Sequence, residues 1–534
     1  MNDPAPNSIS AATLSTWLLD GDELAVLDAR EQGVFLRSHL FHAACIPLSH
    51  LELLLPSRVP RPDTRIVWCD DGTAGLAERA ARTATRLGWS NCSVLDGGTA
   101  GWAAHGGELY AGVNVPSKAF GEFVEHTYGT PRLPAAELKA LLDAGADMVV
   151  LDSRPIQEFR NMSIPTGTDC PGAELVHRVK ELVHDPDTLV VVNCAGRTRS
   201  IIGSQSLINA GLENRVVALE NGTMGWELAG FQVDRGNETH APDPSPASRA
   251  WAEQAAARVA RRFGVERITH DRLTAWQADT TRTTYLLDVR TPDEYEAGHL
   301  PGSGSAPGGQ LVQATDEYVA TRNARLVLVD DNGVRATMTA SWLRQMGWND
   351  TVVLATEGLH DQQLETGLPP RRSVGSAPTI KVSELAARLA EPTLVVIDLG
   401  TSLKYRDKGH IPGAWWGVRS RLDEARAAIG AADTVVLTST DGQLAKLAVA
   451  DARQHWPDAD LLALAGGTKG WRHAGHEMEP GFTRPTTQPD DVWYKPYDHP
   501  DEVVAQHMQD YLTWEIALVE QLDRDPTVTF PRFD

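Results

Sequence analysis

The run VVVNCAGRTRSIIGSQSL, Val190 to Leu207, concentrates the reactive chemistry of this sequence. An apolar segment ends at Cys194. Gly196, Arg197 and Arg199 follow, and a helical pattern begins near Ser200. The thiolate is the nucleophilic form of cysteine, and positive surroundings favour it. Successive N–H groups in a tight loop, here Ala195, Gly196, Arg197, Thr198, Arg199 and Ser200, can converge on one point and form an anion nest. A helix start adds the positive end of its dipole. Arg197 and Arg199 add two full charges. All three influences stabilise a thiolate and attract an anionic substrate. Gly196 lets the loop turn tightly. Arg154, in DSRPIQEFR, either points at the same anion or pairs with Glu158 four residues on.

The other cysteines are Cys45, Cys69, Cys92 and Cys170. The total is odd and no C-x-x-C occurs, so neither a disulfide framework nor a thiolate zinc site is expected. No cofactor is called for. Cys69 and Cys170 read as core residues, although Cys69 neighbours a loop position and Cys170 could in principle resolve an intermediate on Cys194.

The elements that must position the loop occur four times. An apolar run ending in Asp recurs at Asp28, Asp152, Asp288 and Asp398, with gaps of 124, 136 and 110 residues. A second apolar run ends at Asp70, Cys194, Asp330 and Thr440, with the same three gaps. A third marker holds Gly98, Gly222, Gly358 and Gly467, with Trp102, Trp226 and Trp471 as packing residues and no Trp in the third unit. Self-similarity at a fixed period signals repeated structural units. Within each unit, short β-branched runs alternate with helical patterns such as SIIGSQSLINAGL, which stops at Gly211. Continuous apolar strands imply a parallel sheet covered on both faces. The expected fold is α/β: four tandem doubly wound parallel-sheet units and a C-terminal aromatic and helical tail.

The units are read as residues 1–116, 117–240, 265–370 and 371–480, with a linker at 241–264 and the tail at 481–534. The linker reading rests on the Pro- and Ser-rich stretch Asn237–Arg249. The tail is expected mainly to pack on the repeats, with a lid over the site as the weaker reading. A formal net charge of −22 without a basic block argues against nucleic acid. No apolar run reaches membrane-spanning length, and the first residues lack a basic-then-apolar leader. A cytoplasmic protein without a membrane partner is expected.

CAGRTRS, the D-x-R and GGxxGW markers, and the segments EYEAGHLPGS and KYRDKGHIPGA with His299 and His410, together resemble the rhodanese family over roughly residues 9–480. The resemblance implies a sulfurtransferase. Cys194 would take the outer sulfur of thiosulfate or a similar small anionic donor, and the resulting persulfide would pass it to a thiol or cyanide. It also implies that an inactive partner unit, here the first, builds one wall of the cleft. Asp70, Asp330 and Thr440 cannot carry a persulfide, so the other three units read as catalytically inactive. Where the second unit has Arg199, they have Gly75, Arg335 and Ala445. Ser163 stands where the family has a packing His. Units three and four are expected to be structural or to dock an acceptor protein. One alternative is a non-enzymatic persulfide carrier or scaffold loaded by a partner. A cysteine phosphatase or arsenate reductase is disfavoured, because a C-x5-R loop would need Arg where Ser200 stands.

Overall fold

The computed structural model describes residues 5–73, 75–355, 364–369 and 374–533. Gly358 of the third repeat marker therefore lies outside the described residues, as does the boundary between units three and four at residues 370–373. Four five-stranded parallel sheets follow one another along the chain. In unit two the spatial order is Arg132–Leu133, Val216–Leu219, Leu189–Asn193, Met148–Asp152, Thr168–Asp169. The other three sheets have the same order. Helices Ala135–Asp143 and Gly222–Leu228 cover one face of this sheet, and Glu174–Arg178 and Thr198–Asn209 the other. Both faces are buried, which is why the central strands read as unbroken apolar runs. Among the described residues, no helix is long and apolar enough to cross a membrane.

The strand register corrects one alignment. Asp152 pairs with Asn193 and Asp398 with Thr438, so the residue equivalent to Cys194 in unit four is Ser439, not Thr440. The carbonyls confirm it: Cys194 O accepts from Thr223 N at 2.8 Å, and Ser439 O from Thr468 N at 2.9 Å. The shared Asp-Thr of the sequence misleads here, because the unit-four strand begins on its Thr (Thr434) and the unit-two strand begins one residue after its own.

The segment read as a linker is largely a helix, Pro246–Phe263. Ser245 caps its start, accepting from Ser248 N, and Gly264 ends it in the left-handed region. Its buried Ala252, Ala255, Ala256, Val259 and Phe263 join one apolar cluster that holds core residues of both units two and three. A matching helix, Val115–Tyr128, precedes unit two and ends at left-handed Gly129.

Units two and three meet through equivalent surfaces. Gly172 and Gly309 bring the two backbones together; a Cβ on Gly309 would lie 3.0 Å from Gly172 N. Trp342 Nε1 donates to Ser206 Oγ at 2.8 Å across this contact. Units one and four meet separately, with Arg419 donating to Glu52 at 2.7 and 2.8 Å and Ser420 Oγ donating to Glu31 at 3.0 Å. The wall beside the Cys194 unit is therefore unit three. The expectation that unit one builds it does not hold, because the first-and-second pairing of two-unit chains is replaced by a second-and-third pairing.

Candidate active site

Cys194 is the first residue after the strand Leu189–Asn193, and the helix Thr198–Asn209 starts four residues later. Its side chain is 2 % exposed. The thiol donates to Ser200 Oγ at 3.4 Å, and Ser200 Oγ in turn donates to Arg197 O at 2.8 Å. The loop is clamped from behind by the third repeat marker. Thr223 Oγ1 donates to Cys194 O at 3.1 Å and Met224 N to Ala195 O at 2.9 Å. Gly222 has φ of 55°, and a Cβ there would sit 2.4 Å from Cys194 O. This approach requires glycine. Gly98 and Gly467 stand equally close to Asp70 O and Ser439 O, so the marker is a loop clamp in units one and four too.

The two loop arginines separate. Arg199 Nη1 and Nη2 donate to Glu158 at 3.0 and 2.8 Å, and Nη1 also reaches Gln310 Oε1 of unit three at 3.4 Å. Burial works against its charge, but Glu158, with Cys194 and Asp152 contributing, holds the guanidinium pKa above its ordinary value. Arg199 therefore lies within electrostatic reach of the thiol. Burial likewise opposes the charge of Glu158, yet the Arg199 guanidinium holds its pKa down at about 2. Arg197 turns away from the expected anion position. It donates to Glu122 at 2.7 and 2.8 Å, to Glu125 at 2.5 Å and to Asn221 at 3.2 Å. Its charge is cancelled by two carboxylates of the helix Val115–Tyr128, so only its backbone remains available to a ligand.

Arg154 is also corrected. Its Nε and Nη2 each donate to Asp152 at 2.8 Å, and Nη2 to Met162 O at 2.6 Å. Arg30 makes the same pair with Asp28 and Arg290 with Asp288, in units that lack the cysteine. The D-x-R marker is thus a fold element: a buried carboxylate at the strand end is satisfied by the arginine two residues on. The i,i+4 bridge to Glu158 is absent because Glu158 is committed to Arg199.

The histidine positions are packing sites. His299 stacks on Tyr295 at 3.8 Å and His410 on Tyr405 at 3.6 Å between ring centroids. Ser163 keeps the backbone pairing, with Asp234, that His299 makes with Glu365 and His410 with Glu479, and lacks only the stacked ring. Cys69 and Cys170 are fully buried, and burial raises both thiol pKa values well above the usual range.

Unit three repeats the arrangement without the thiol. Asp330 takes the place of Cys194; its carboxylate accepts from Gly333 N at 2.5 Å and Ala336 N at 3.0 Å. In unit one, Asp70 accepts from Gly72 N at 2.7 Å and Ala77 N at 3.0 Å. Arg335 and Glu294 reproduce the Arg199–Glu158 pair. Sequence reading missed Glu158 as the anchor of Arg199, although the common offset of 136 residues to Glu294 and Arg335 was available to find it.

The tail packs on the Cys194 loop as well as on the repeats. Tyr511, Leu512 and Glu515 of the helix Asp501–Leu522 press on Gly196. Glu515 is fully buried; its Oε1 accepts from Thr198 Oγ1 at 2.8 Å and from Lys118 Nζ at 3.0 Å. Met508 and Leu512 pack with Met224 and Ala195. Nothing in the sequence marks Lys118, Gln310, Tyr511 or Glu515 as members of this site.

Comparison with known proteins bears on all four units. The family model described as the Rhodanese-like domain matches residues 10–105, 134–229, 269–363 and 381–474. A solved thiosulfate sulfurtransferase from Pseudomonas aeruginosa is 49 % identical, with 99 % of this chain and 100 % of that chain covered and a TM-score of 0.95. An HTH-type transcriptional regulator, Rv0324, from Mycobacterium tuberculosis is 33 % identical over 110 residues, 20 % of this chain. The chain spans about half, 47 %, of that curated relative.

Proposed function

The chain belongs to the rhodanese-like domain family, which it contains four times over, and from that premise we propose that it is a thiosulfate sulfurtransferase with Cys194 as its nucleophile. The Pseudomonas relative supports the activity class. One observation supports the mechanism. In the inactive unit three, the carboxylate of Asp330 occupies the nest and accepts from the N–H groups of Gly333 and Ala336. The equivalent N–H groups in unit two belong to Arg197 and Ser200. An Asp oxygen is two bonds from Cβ, and so is the outer sulfur of a cysteine persulfide. The Asp side chain is therefore an internal mimic of a Cys194-S-S⁻ group seated in the same nest.

The Cys194 thiolate attacks the outer sulfur of thiosulfate. The S–S bond to the sulfonate sulfur breaks, its electron pair leaves with sulfite, and the persulfide remains. A thiol or cyanide then attacks the outer sulfur and releases the Cys194 thiolate. This is covalent catalysis by double displacement. The N–H groups of Arg197 and Ser200 hold the persulfide anion, while Arg199, fixed by Glu158, supplies the positive field. Arg197 serves through its backbone.

A persulfide carrier loaded by a protein is the poorer fit. Cys194 is 2 % exposed, and Tyr511, Leu512 and Glu515 pack on Gly196 of its loop, so a small donor reaches it more readily than a protein thiol. The test is intact mass after thiosulfate treatment of wild type and Cys194→Ser, with sulfite followed in parallel. One added sulfur in wild type alone, with stoichiometric sulfite, supports the reading. No adduct in wild type overturns it.

A further inference from the structure

The loop arginines of units two and three have different charge environments, although their positions are equivalent. Arg335 Nη1 donates to Glu174 at 2.9 Å and to Glu294 at 2.8 Å, and Nη2 donates to Asp331 at 2.8 Å. Three carboxylates surround one guanidinium. At the offset of 136 residues, the counterparts around Arg199 are Gln310, Glu158 and Ala195. Only Glu158 is charged. Glu174 crosses from unit two to reach Arg335, and Gln310 crosses from unit three to reach Arg199. The interface is reciprocal in geometry and unequal in charge. Other charged groups within electrostatic reach of Arg199 include Lys118, Arg154 and Asp152. Lys118 is paired with Glu515, and Arg154 with Asp152.

We propose that Gln310 is a positioning residue of the active site in unit two: it orients Arg199 without cancelling its charge, so that unit three completes the field that draws an anionic sulfur donor to Cys194. This rests on the sulfurtransferase reading. An amide at this position leaves the guanidinium with one counter-charge, whereas a carboxylate would give it two. The inactive third unit is thereby part of the catalytic centre, and its contribution is a deliberately neutral side chain.

The test compares Gln310→Glu, Gln310→Leu and the reciprocal Glu174→Gln in the full chain. The Gln310→Glu side chain has a precedent in place, because Glu174 fits the equivalent position. The first readout is kcat and KM for thiosulfate. The second is the ratio of Cys194 alkylation rates with iodoacetate and iodoacetamide, which reports the local field without any sulfur donor. Gln310→Glu is expected to raise KM about tenfold, the equivalent of one opposing charge interaction, with kcat changing less, and to lower the alkylation ratio about fivefold. Gln310→Leu, which loses the hydrogen bond to Arg199 but adds no charge, is expected to raise KM about threefold and to keep a near-wild-type ratio, and Glu174→Gln to leave both readouts unchanged. A Gln310→Glu protein with wild-type KM and ratio overturns the proposal, as does an equal loss in Gln310→Leu or Glu174→Gln, which would mark simple interface packing. If wild type fails to turn over thiosulfate, the functional reading falls and the alkylation ratio still decides this proposal.

Discussion

Thr198 Oγ1 of the Cys194 loop donates at 2.8 Å to Glu515 Oε1, a carboxylate that lies 317 residues further along the chain. The same oxygen receives Lys118 Nζ at 3.0 Å. The bond ties the last helix to the first turn after Cys194, so the tail is fixed to the loop by a network of Thr198, Lys118, Tyr511 and Glu515. Removing Glu515 would strand a buried lysine charge. Glu515→Ala is expected to cost about 3 kcal/mol, the usual scale for breaking a buried pair, measured by urea denaturation. It should also speed alkylation of Cys194. Unchanged stability would show that the network does not hold the tail.

Arg154 separates a fold role from a ligand role. Its pairing with buried Asp152 predicts that Arg154→Ala loses about 3–5 kcal/mol of stability. The KM for thiosulfate of the fraction that remains folded should stay near wild type. A large rise in KM with little loss of stability would restore Arg154 as an anion ligand.

Asp330 tests the mimicry argument from the other side. Asp330→Ala leaves two loop N–H groups of unit three without their acceptor, which is expected to cost about 1–3 kcal/mol. Sulfur transfer at Cys194 should persist. Thermal denaturation and the sulfite assay read the two effects separately.

Cys69 and Cys170 are fully buried with raised thiol pKa values, so both are expected to resist iodoacetamide at pH 8 in the folded protein and to react once it is unfolded. Peptide mapping after alkylation checks this. Labelling of Cys69 before Cys194 would shift the search for the nucleophile to unit one.

Asp169 gives a pH signature. Burial, with Asp152 and Glu174 adding to it against Arg154 and Arg160, raises its pKa to about 7. In the unfolded chain a carboxyl titrates near 4. The folded state therefore binds the extra proton between about pH 4 and 7, and the stability this contributes is lost as pH rises through that window. Tm of wild type should fall more steeply from pH 5 to 7.5 than that of Asp169→Asn. Glu31 and Asp316, also raised to about 7 by burial, act in the same direction in both proteins.

The sequence made the repeats and the candidate nucleophile legible because both are written locally. Strands buried on two faces must be apolar throughout, and the clamp on the Cys194 carbonyl admits only glycine at Gly222. These constraints leave fixed residue types at fixed spacing. The register of unit four was misread because its strand starts one residue earlier relative to the Asp-Thr pair, which only the pairing of Asp398 with Thr438 reveals. The connection before unit three was misread because its Pro and Ser residues cap a helix whose small residues pack between two units.

Charge was the least legible property. The sequence placed two arginines beside the thiol and could not say where they point. A guanidinium reaches several ångströms from its backbone, so its partner is chosen by whatever the fold brings near. Folding brings Glu122 to Arg197 and Glu158 to Arg199, and across the unit interface it supplies Gln310 and not a carboxylate. The sequence by itself determined the sheet, the loop and the thiol, each set by residues within one unit. The tertiary structure decided which cation lies near that thiol and what packs on its loop, because those contacts join segments that lie 41 to 317 residues apart along the chain.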